Sequence, residues 1–191
     1  MKSPDTIAAL LLLAGLSAGQ TPEGFEPAVE TKLDVTFGTK VVETPGTALT
    51  RTDTAQRPSI AFSEADPEKY YLWMMIDIDA STNFANPGAG QPATYLHTVL
   101  RDFTAASGET LTTTANGPVA WFAPAPPAEN PPHPHRYTNL LWEQPDGASW
   151  TIPAAASSML QSQKLGFSVP NFIQAAGLEA PIAANYFNVS G

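Results

Sequence analysis

The chain has 191 residues, 43% of them apolar, which is enough for one domain with a complete hydrophobic core. Its formal net charge is −9, and its nine Lys and Arg residues form no basic cluster, so nucleic acid is excluded as an expected partner. The 19 prolines, 13 glycines and absence of cysteine predict a β-rich body with many turns, no disulfides and no thiolate chemistry.

The N-terminus has the pattern of a secretory signal peptide, predicted to span residues 1–18. Lys2 supplies a positive charge, residues 7–16 form a short apolar run, and Ala18 ends a cleavage site of small residues. Because the run is shorter than the roughly 20 residues of a membrane span, we expect a secreted or secretory-pathway protein with no stable membrane span in its mature chain. An N-terminal core helix or membrane anchor is the alternative, since Asp5 is unusual in a signal peptide.

The remainder is predicted to be an extended polar arm at residues 19–32, followed by a single domain at residues 33–191. Within that domain, residues 33–37 alternate apolar and polar side chains, which is the period of a half-buried strand. Short strand signals follow at residues 40–50 and 57–62.

A run of bulky apolar residues, 70–76, predicts a strand buried on both faces at the centre of the molecule. It leads into Asp77 and Asp79, whose carboxylates are expected to point to the same side of an extended chain. Carboxylates near a core are costly unless they are paired or hydrogen-bonded, so a binding site and a structural role are both open here. A strand end capped by Asp and Ser turn chemistry is the alternative.

The next strand signal, residues 95–100, carries a histidine at position 97. Alternation places Tyr95, His97 and Val99 on one face of this strand. A single histidine on a strand is more often a core residue than a ligand. A binding role for His97 therefore depends on what the fold brings beside it.

Residues 121–137 form a proline-dense stretch that contains His133 and His135, two of the three histidines in the chain. Each proline removes a backbone donor and fixes φ, which excludes a helix or a central strand. Strand signals at residues 96–103 and 137–143 flank the stretch. A loop held at both ends within one domain is predicted to form one wall of a site.

The C-terminal part contains the helix signals, at residues 154–164 and 171–176, each followed by a glycine. A last strand is predicted at residues 182–189. An N-glycosylation sequon begins at Asn188, so a glycan is expected there if the chain enters the secretory pathway.

Two of these segments resemble motifs of the phosphatidylethanolamine-binding protein (PEBP) family, which includes Raf kinase inhibitor proteins and carboxypeptidase Y inhibitors. Asp77–Ser81 is similar to the family's Asp-Pro-Asp-Ala-Pro, and Ala125–Pro127 with His135–Tyr137 is similar to its Gly-x-Pro-Pro and His-Arg-Tyr. The resemblance extends from Leu33 to Phe187. It implies a mostly β fold, an antiparallel β-sandwich of a large central sheet and a smaller sheet with a few short peripheral helices.

The resemblance also implies a pocket for a small anionic ligand such as phosphate, a phospholipid head group or a carboxylate. The ligand-binding positions carried over are Asp77, Asp79, Tyr95, His97, Ala123, Ala125, Pro126, His135 and Tyr137. A carboxylate beside a histidine favours its protonated form, which donates to an oxyanion near neutral pH. No cofactor or metal is expected, although an Asp with two His side chains is also a donor set that suits zinc.

Three functions stay open at this point. The first and favoured one is a binding protein without chemistry. The second is an auxiliary or catalytic role in fungal secondary metabolism, because PEBP-like proteins assist the coupling of maleic anhydride monomers in maleidride-type pathways. His97 or His135 would then act as a general acid or base. The third is a protease inhibitor or signalling scaffold.

Overall fold

A computed structural model describes residues 19–105 and 108–191, so the predicted signal peptide lies outside the described residues and secretion stays a prediction. The described chain is mostly β, as predicted, and its strands form a six-stranded and a four-stranded sheet. The strands are β1 (Asp34–Phe37), β2 (Lys40–Val41), β3 (Thr47–Leu49), β4 (Ser59–Ala61), β5 (Tyr71–Ser81), β6 (Pro92–Phe103), β7 (Thr110–Leu111), β8 (Pro118–Val119), β9 (His135–Glu143) and β10 (Ala183–Val189). The helices are α1 (Ala154–Ser162) and α2 (Val169–Ala176), with 3-10 turns at Pro87–Ala89 and Gly147–Ser149.

The large sheet has the strand order β3-β10-β9-β5-β6-β8, and the small sheet has the order β2-β1-β4-β7. Neighbouring strands are antiparallel, apart from β10 and β3, which run parallel. Strand β5 therefore lies inside the large sheet, hydrogen-bonded to β6 on one side and β9 on the other.

Strand β5 is buried on both faces, which confirms the prediction from its apolar run. Trp73 and Met75 belong to the core between the two sheets, whereas Leu72 and Met74 belong to the core under the helices. This division follows from the two-residue period of a strand. Each such side chain contributes about 1.5–3 kcal/mol by its burial, so β5 anchors both layers.

The pairing of β5 with β6 is interrupted by bulges at the end of the sheet that carries the polar residues. Met75 lies opposite Thr98 but Ile76 lies opposite Leu96, so His97 is an extra residue on β6. A bulge changes the direction in which the following side chains point. The expectation that His97 and Val99 share one face was therefore wrong, because Val99 packs with Leu96 in the helix-side core.

The residues predicted to form an extended arm, 19–32, turn back on themselves. The amide of Gln20 donates to the carbonyl of Val29 at 2.7 Å, and Val29 is buried in the core under the helices. The amide of Ala184 donates to the carbonyl of Thr31 at 2.9 Å, which ties the segment to β10. Apolar contacts at Val29 explain why this polar stretch folds onto the domain.

The two helices lie close to their predicted positions, although α1 ends two residues early at Ser162. Helix α2 begins at an N-cap, Ser168, whose hydroxyl accepts from the amide of Asn171 at 3.3 Å. It ends at Gly177, which adopts a left-handed φ of 65° that glycine tolerates without strain. No helix in the described part of the chain is long and apolar enough to cross a membrane.

Candidate functional site

A cavity of about 220 Å³ opens where β5, β6 and β9 meet the proline-rich loop. Its lining residues are Asp77, Ala80, Ser81, Phe84, Tyr95, His97, Phe122, Ala125, Pro126, Pro127, His135 and Tyr137. Seven of the predicted ligand-binding residues are therefore brought together, and Asp79 and Ala123 do not line the cavity. The loop forms one wall, as its flanking strands led us to expect.

Asp77 holds His135 in place. Its Oδ2 accepts from Nδ1 of His135 at 2.7 Å, and its Oδ1 accepts from the amide of Asp79 at 2.8 Å. Both side chains are almost fully buried, at 5% and 3% exposed. Because both carboxylate oxygens have a donor, Asp77 fixes the orientation of the histidine ring and favours its protonated form.

The second ring nitrogen of His135 has a partner that sequence reasoning missed. Nε2 lies 3.2 Å from Oε1 of Glu129, the one acidic residue in the proline-rich stretch. Burial alone would lower the pKa of His135, but hydrogen bonds to Asp77 and Glu129 outweigh it and raise the pKa. The sequence signal that could have identified Glu129 was its position as an isolated acidic residue among prolines.

His97 has the opposite character. Its Nδ1 lies 2.9 Å from the carbonyl of Phe122, which can only accept, so the proton is on Nδ1 and the lone pair is on Nε2. Burial lowers the pKa of His97, more than the charge of Asp77 raises it. The ring stacks on Phe122, with centroids 5.3 Å apart, and meets Tyr95 edge-on. His97 is thus a neutral imidazole in an aromatic setting.

The ring of Tyr137 lies close to both histidines. Its centroid is 5.1 Å from that of His97 and 6.5 Å from that of His135. Burial, together with the charge of Asp77, raises the pKa of the phenol, so Tyr137 stays protonated. Tyr137 therefore lies beside two histidines whose pKa values are shifted in opposite directions. Such a pair suits one histidine that acts as a base and another that binds an oxyanion.

Asp79 binds Arg136, and the expectation that its carboxylate points to the same side as that of Asp77 was wrong. The register of β5 and β6 shifts between Asp77 and Ala80, which redirects Asp79. Its carboxylate accepts from Nη2, Nε and the amide of Arg136 at 2.6, 2.7 and 2.8 Å. Burial would raise the pKa of Asp79, but the bonds from Arg136 outweigh it and lower the pKa.

The mouth of the cavity is aromatic. Phe84 and Phe122 are 54% and 52% exposed, which is high for phenylalanine, and both pack against Tyr95. No Lys or Arg is among the described residues that line the cavity. A fitting ligand therefore has an apolar part beside a small polar group.

Comparison with known proteins agrees with this architecture. The family model described as "Phosphatidylethanolamine-binding protein" matches residues 30–187. The chain belongs to the PEBP family. Its fold agrees with solved PEBP-type structures, including a carboxypeptidase Y inhibitor in complex with its proteinase (TM-score 0.63, 19% identity, 85% and 84% of the two chains). A phosphatidylethanolamine-binding protein from Plasmodium vivax gives a TM-score of 0.55 at 20% identity, over 82% and 83% of the chains.

Nearer relatives of this PEBP chain come from fungi. The chain is 31% identical to "Phomoidride biosynthesis cluster protein N" of Talaromyces stipitatus, over 93% of each chain. A protein of the same name from Fungal sp. is 34% identical over 63% of this chain and 53% of its own length. The solved PEBP structures show the fold alone, whereas these fungal proteins are similar in sequence along most or much of the chain.

The predicted glycosylation site lies on the strand next to the edge strand β3 of the large sheet. Asn188 is on β10, between β9 and β3, and is half-buried. Its Oδ1 is buried without a hydrogen-bond partner in the described residues. A glycan on Asn188 stays a prediction.

Proposed function

We propose that this chain is a fungal secondary-metabolism protein that binds a small carboxylate or anhydride intermediate in the cavity and assists its conversion by proton transfer. The observation that carries the proposal is the pairing of a neutral His97 with the Asp77–His135 couple in one aromatic cavity. The similarity to the phomoidride cluster protein supports the pathway context.

His97 is assigned the role of general base. Its Nδ1 donates to the Phe122 carbonyl, which leaves the Nε2 lone pair as the atom that can accept a proton from a bound molecule. The lowered pKa keeps this lone pair free at neutral pH. A proton on a carbon next to a carbonyl or anhydride group is the kind of proton that such a base would remove.

His135 is assigned the opposite end of the ligand. Its ring is fixed by Asp77 behind it, and its Nε2 side faces Glu129 at the cavity's edge. A ligand oxyanion would take the place of the Glu129 carboxylate there. Tyr137, packed between the two histidines, would keep the reacting part of the ligand between base and oxyanion partner.

Local charge favours a carboxylate or anhydride over a phosphate group. Asp77 and Glu129 contribute two carboxylates beside the cavity, and Lys and Arg are absent from its described lining. A dianion would meet repulsion at short range in a poorly solvated place. The phenyl rings of Phe84 and Phe122 would contact the apolar part of the intermediate.

Binding without chemistry is the second candidate, supported by membership of the PEBP family. Binding without chemistry uses the same residues but requires no free lone pair on His97. The two functions therefore predict different results for His97→Gln, because glutamine can keep polar contacts with a ligand but cannot act as a base.

The test is production of the pathway's metabolite in a fungal host that expresses its cluster with wild-type protein, His97→Gln or the exposed control Glu64→Gln. General base catalysis contributes about 10²–10⁴-fold, so we expect His97→Gln to lose most product while Glu64→Gln keeps it. Protein levels and thermal unfolding are measured for each variant. Full product with His97→Gln would remove His97 from the chemistry.

A further inference from the structure

We infer that Glu129, His133 and His135 form a zinc-binding site at the edge of the cavity. The inference goes beyond the proposed function and does not depend on it; a zinc ion on Nε2 of His135 would replace the N–H that the proposed function assigns to the ligand oxyanion. The donor set differs from the Asp and two His weighed from the sequence, for which we expected no metal because the family resemblance explained those residues without one. Here the loop itself provides the donors.

The three side chains already lie close together. One ligand atom from each lies within 4.8 Å of the others, and Oε1 of Glu129 is 3.2 Å from Nε2 of His135. Around a tetrahedral zinc with bonds of about 2.0–2.1 Å, ligand atoms are roughly 3.4 Å apart. His133 is exposed on the loop, so closing the remaining distance needs only a small side-chain movement.

A second observation points to a metal at Nε2 of His135. Metal-bound histidines commonly donate their other ring N–H to a carboxylate, which fixes the ring and raises its basicity. His135 has this arrangement, because its Nδ1 lies 2.7 Å from Oδ2 of the buried Asp77. Its Nε2 is thereby aimed at the side where Glu129 and His133 lie, and a zinc ion would replace the proton between His135 and Glu129.

The local chain restricts how far these donors can move apart. Pro131, Pro132 and Pro134 fix φ at three positions between Glu129 and His135. A residue before proline is confined to extended conformations, which applies to His133. His133 and His135 are two residues apart on this extended segment, so their side chains lie on the same side, and their ring centroids are 6.0 Å apart.

The donor types select the metal. Two imidazole nitrogens and one carboxylate oxygen suit zinc, whereas magnesium and calcium require oxygen ligands throughout. Three protein ligands leave a fourth position open. Because His135 also lines the cavity, that position lies beside the ligand space, where a ligand oxygen could occupy it.

The experiment titrates zinc chloride into the full chain, carrying no histidine tag and stripped with EDTA, by calorimetry in a non-chelating buffer. His133→Ala and Glu129→Gln remove one donor each, and Glu64→Gln is the matched control on an exposed turn. We expect one saturable site in the wild type and in Glu64→Gln, with at least about tenfold weaker binding in both ligand variants. Cobalt substitution should give the intense visible absorption of a tetrahedral site in the wild type and lose it in His133→Ala.

Absence of saturable zinc binding to the wild type, or equal affinity in wild type and His133→Ala, overturns the inference. His133 is exposed, so its truncation leaves the fold intact, which thermal unfolding verifies. Failure here is separable from failure of the proposed function. If the wild type binds no zinc but His97→Gln loses product, only the zinc site is contradicted. If the wild type binds zinc but His97→Gln keeps full product, the zinc site is supported and the role of His97 as a base is contradicted.

Discussion

Asp77 and His135 form the most buried ion pair in the described structure, with Oδ2 and Nδ1 2.7 Å apart on neighbouring strands β5 and β9. We predict that Asp77→Asn destabilises the protein by about 1–3 kcal/mol, because a neutral amide replaces the carboxylate that accepts from both the Asp79 amide and Nδ1 of His135, and the charge-assisted hydrogen bond to the histidine is lost. Urea unfolding monitored by tryptophan fluorescence measures the change. An unchanged midpoint would show that the pair orients the site without stabilising the fold.

Asp79 and Arg136 provide a second, pH-dependent prediction. We expect Asp79→Asn to lower the free energy of unfolding near neutral pH by about 1–3 kcal/mol, towards the low end because the Arg136 side chain is 37% exposed and solvent screens the pair. The pKa of Asp79 is lowered in the folded state, so the unfolded state binds more protons as the pH falls. The stabilisation is therefore present above the ordinary value of 3.8 and lost as the pH falls below it.

The measurement is the free energy of unfolding of wild type and Asp79→Asn from neutral to acidic pH. The difference should shrink only below about pH 4. A difference that stays constant into strong acid would mean that the Asp79 charge does not contribute.

Much of the fold followed from the sequence, because its signals are local. The apolar run at residues 70–76 could only be satisfied in a strand covered on both faces, and Gly177 marked the end of α2. The two motifs identified the cavity through Asp77 and His135. These inferences need only periodicity, turn chemistry and motif order.

The parts that failed depend on pairing between distant segments. Strand alternation could not show that His97 is the extra residue of a bulge on β6, opposite β5. It also could not show that a register shift turns Asp79 towards Arg136. Glu129 lies in a loop whose path is set by contacts with β9, so its approach to His135 has no periodic signal. Bulges and loop paths are properties of the assembled sheet.

His97 provides a prediction about the pH dependence of activity. Burial, the first cause of its lowered pKa, and the nearby charges of His135 and Lys164 disfavour the protonated ring, while Asp77 and the Phe122 carbonyl oppose them. The base form therefore persists below the ordinary value of 6.5. We expect the acid limb of the activity profile, which His97 sets, to lie below pH 6.5. A profile whose acid limb lies above neutral pH would contradict this assignment.

The aromatic mouth provides the last prediction, which concerns ligand affinity. The ring of Phe122 is 52% exposed, and its carbonyl, which holds His97, belongs to the backbone. Phe122→Ala therefore removes an apolar wall and leaves the His97 hydrogen bond in place. We expect roughly tenfold weaker binding of a carboxylate with an apolar chain, since burying such a group against the ring is worth about 1–2 kcal/mol. Phe84→Ala should act similarly, because Phe84 also lines the cavity and packs against Tyr95. Binding of a short carboxylate without the chain is the internal control, measured by calorimetry. Equal losses for the two ligands would mean that the rings shape the cavity and do not contact the chain.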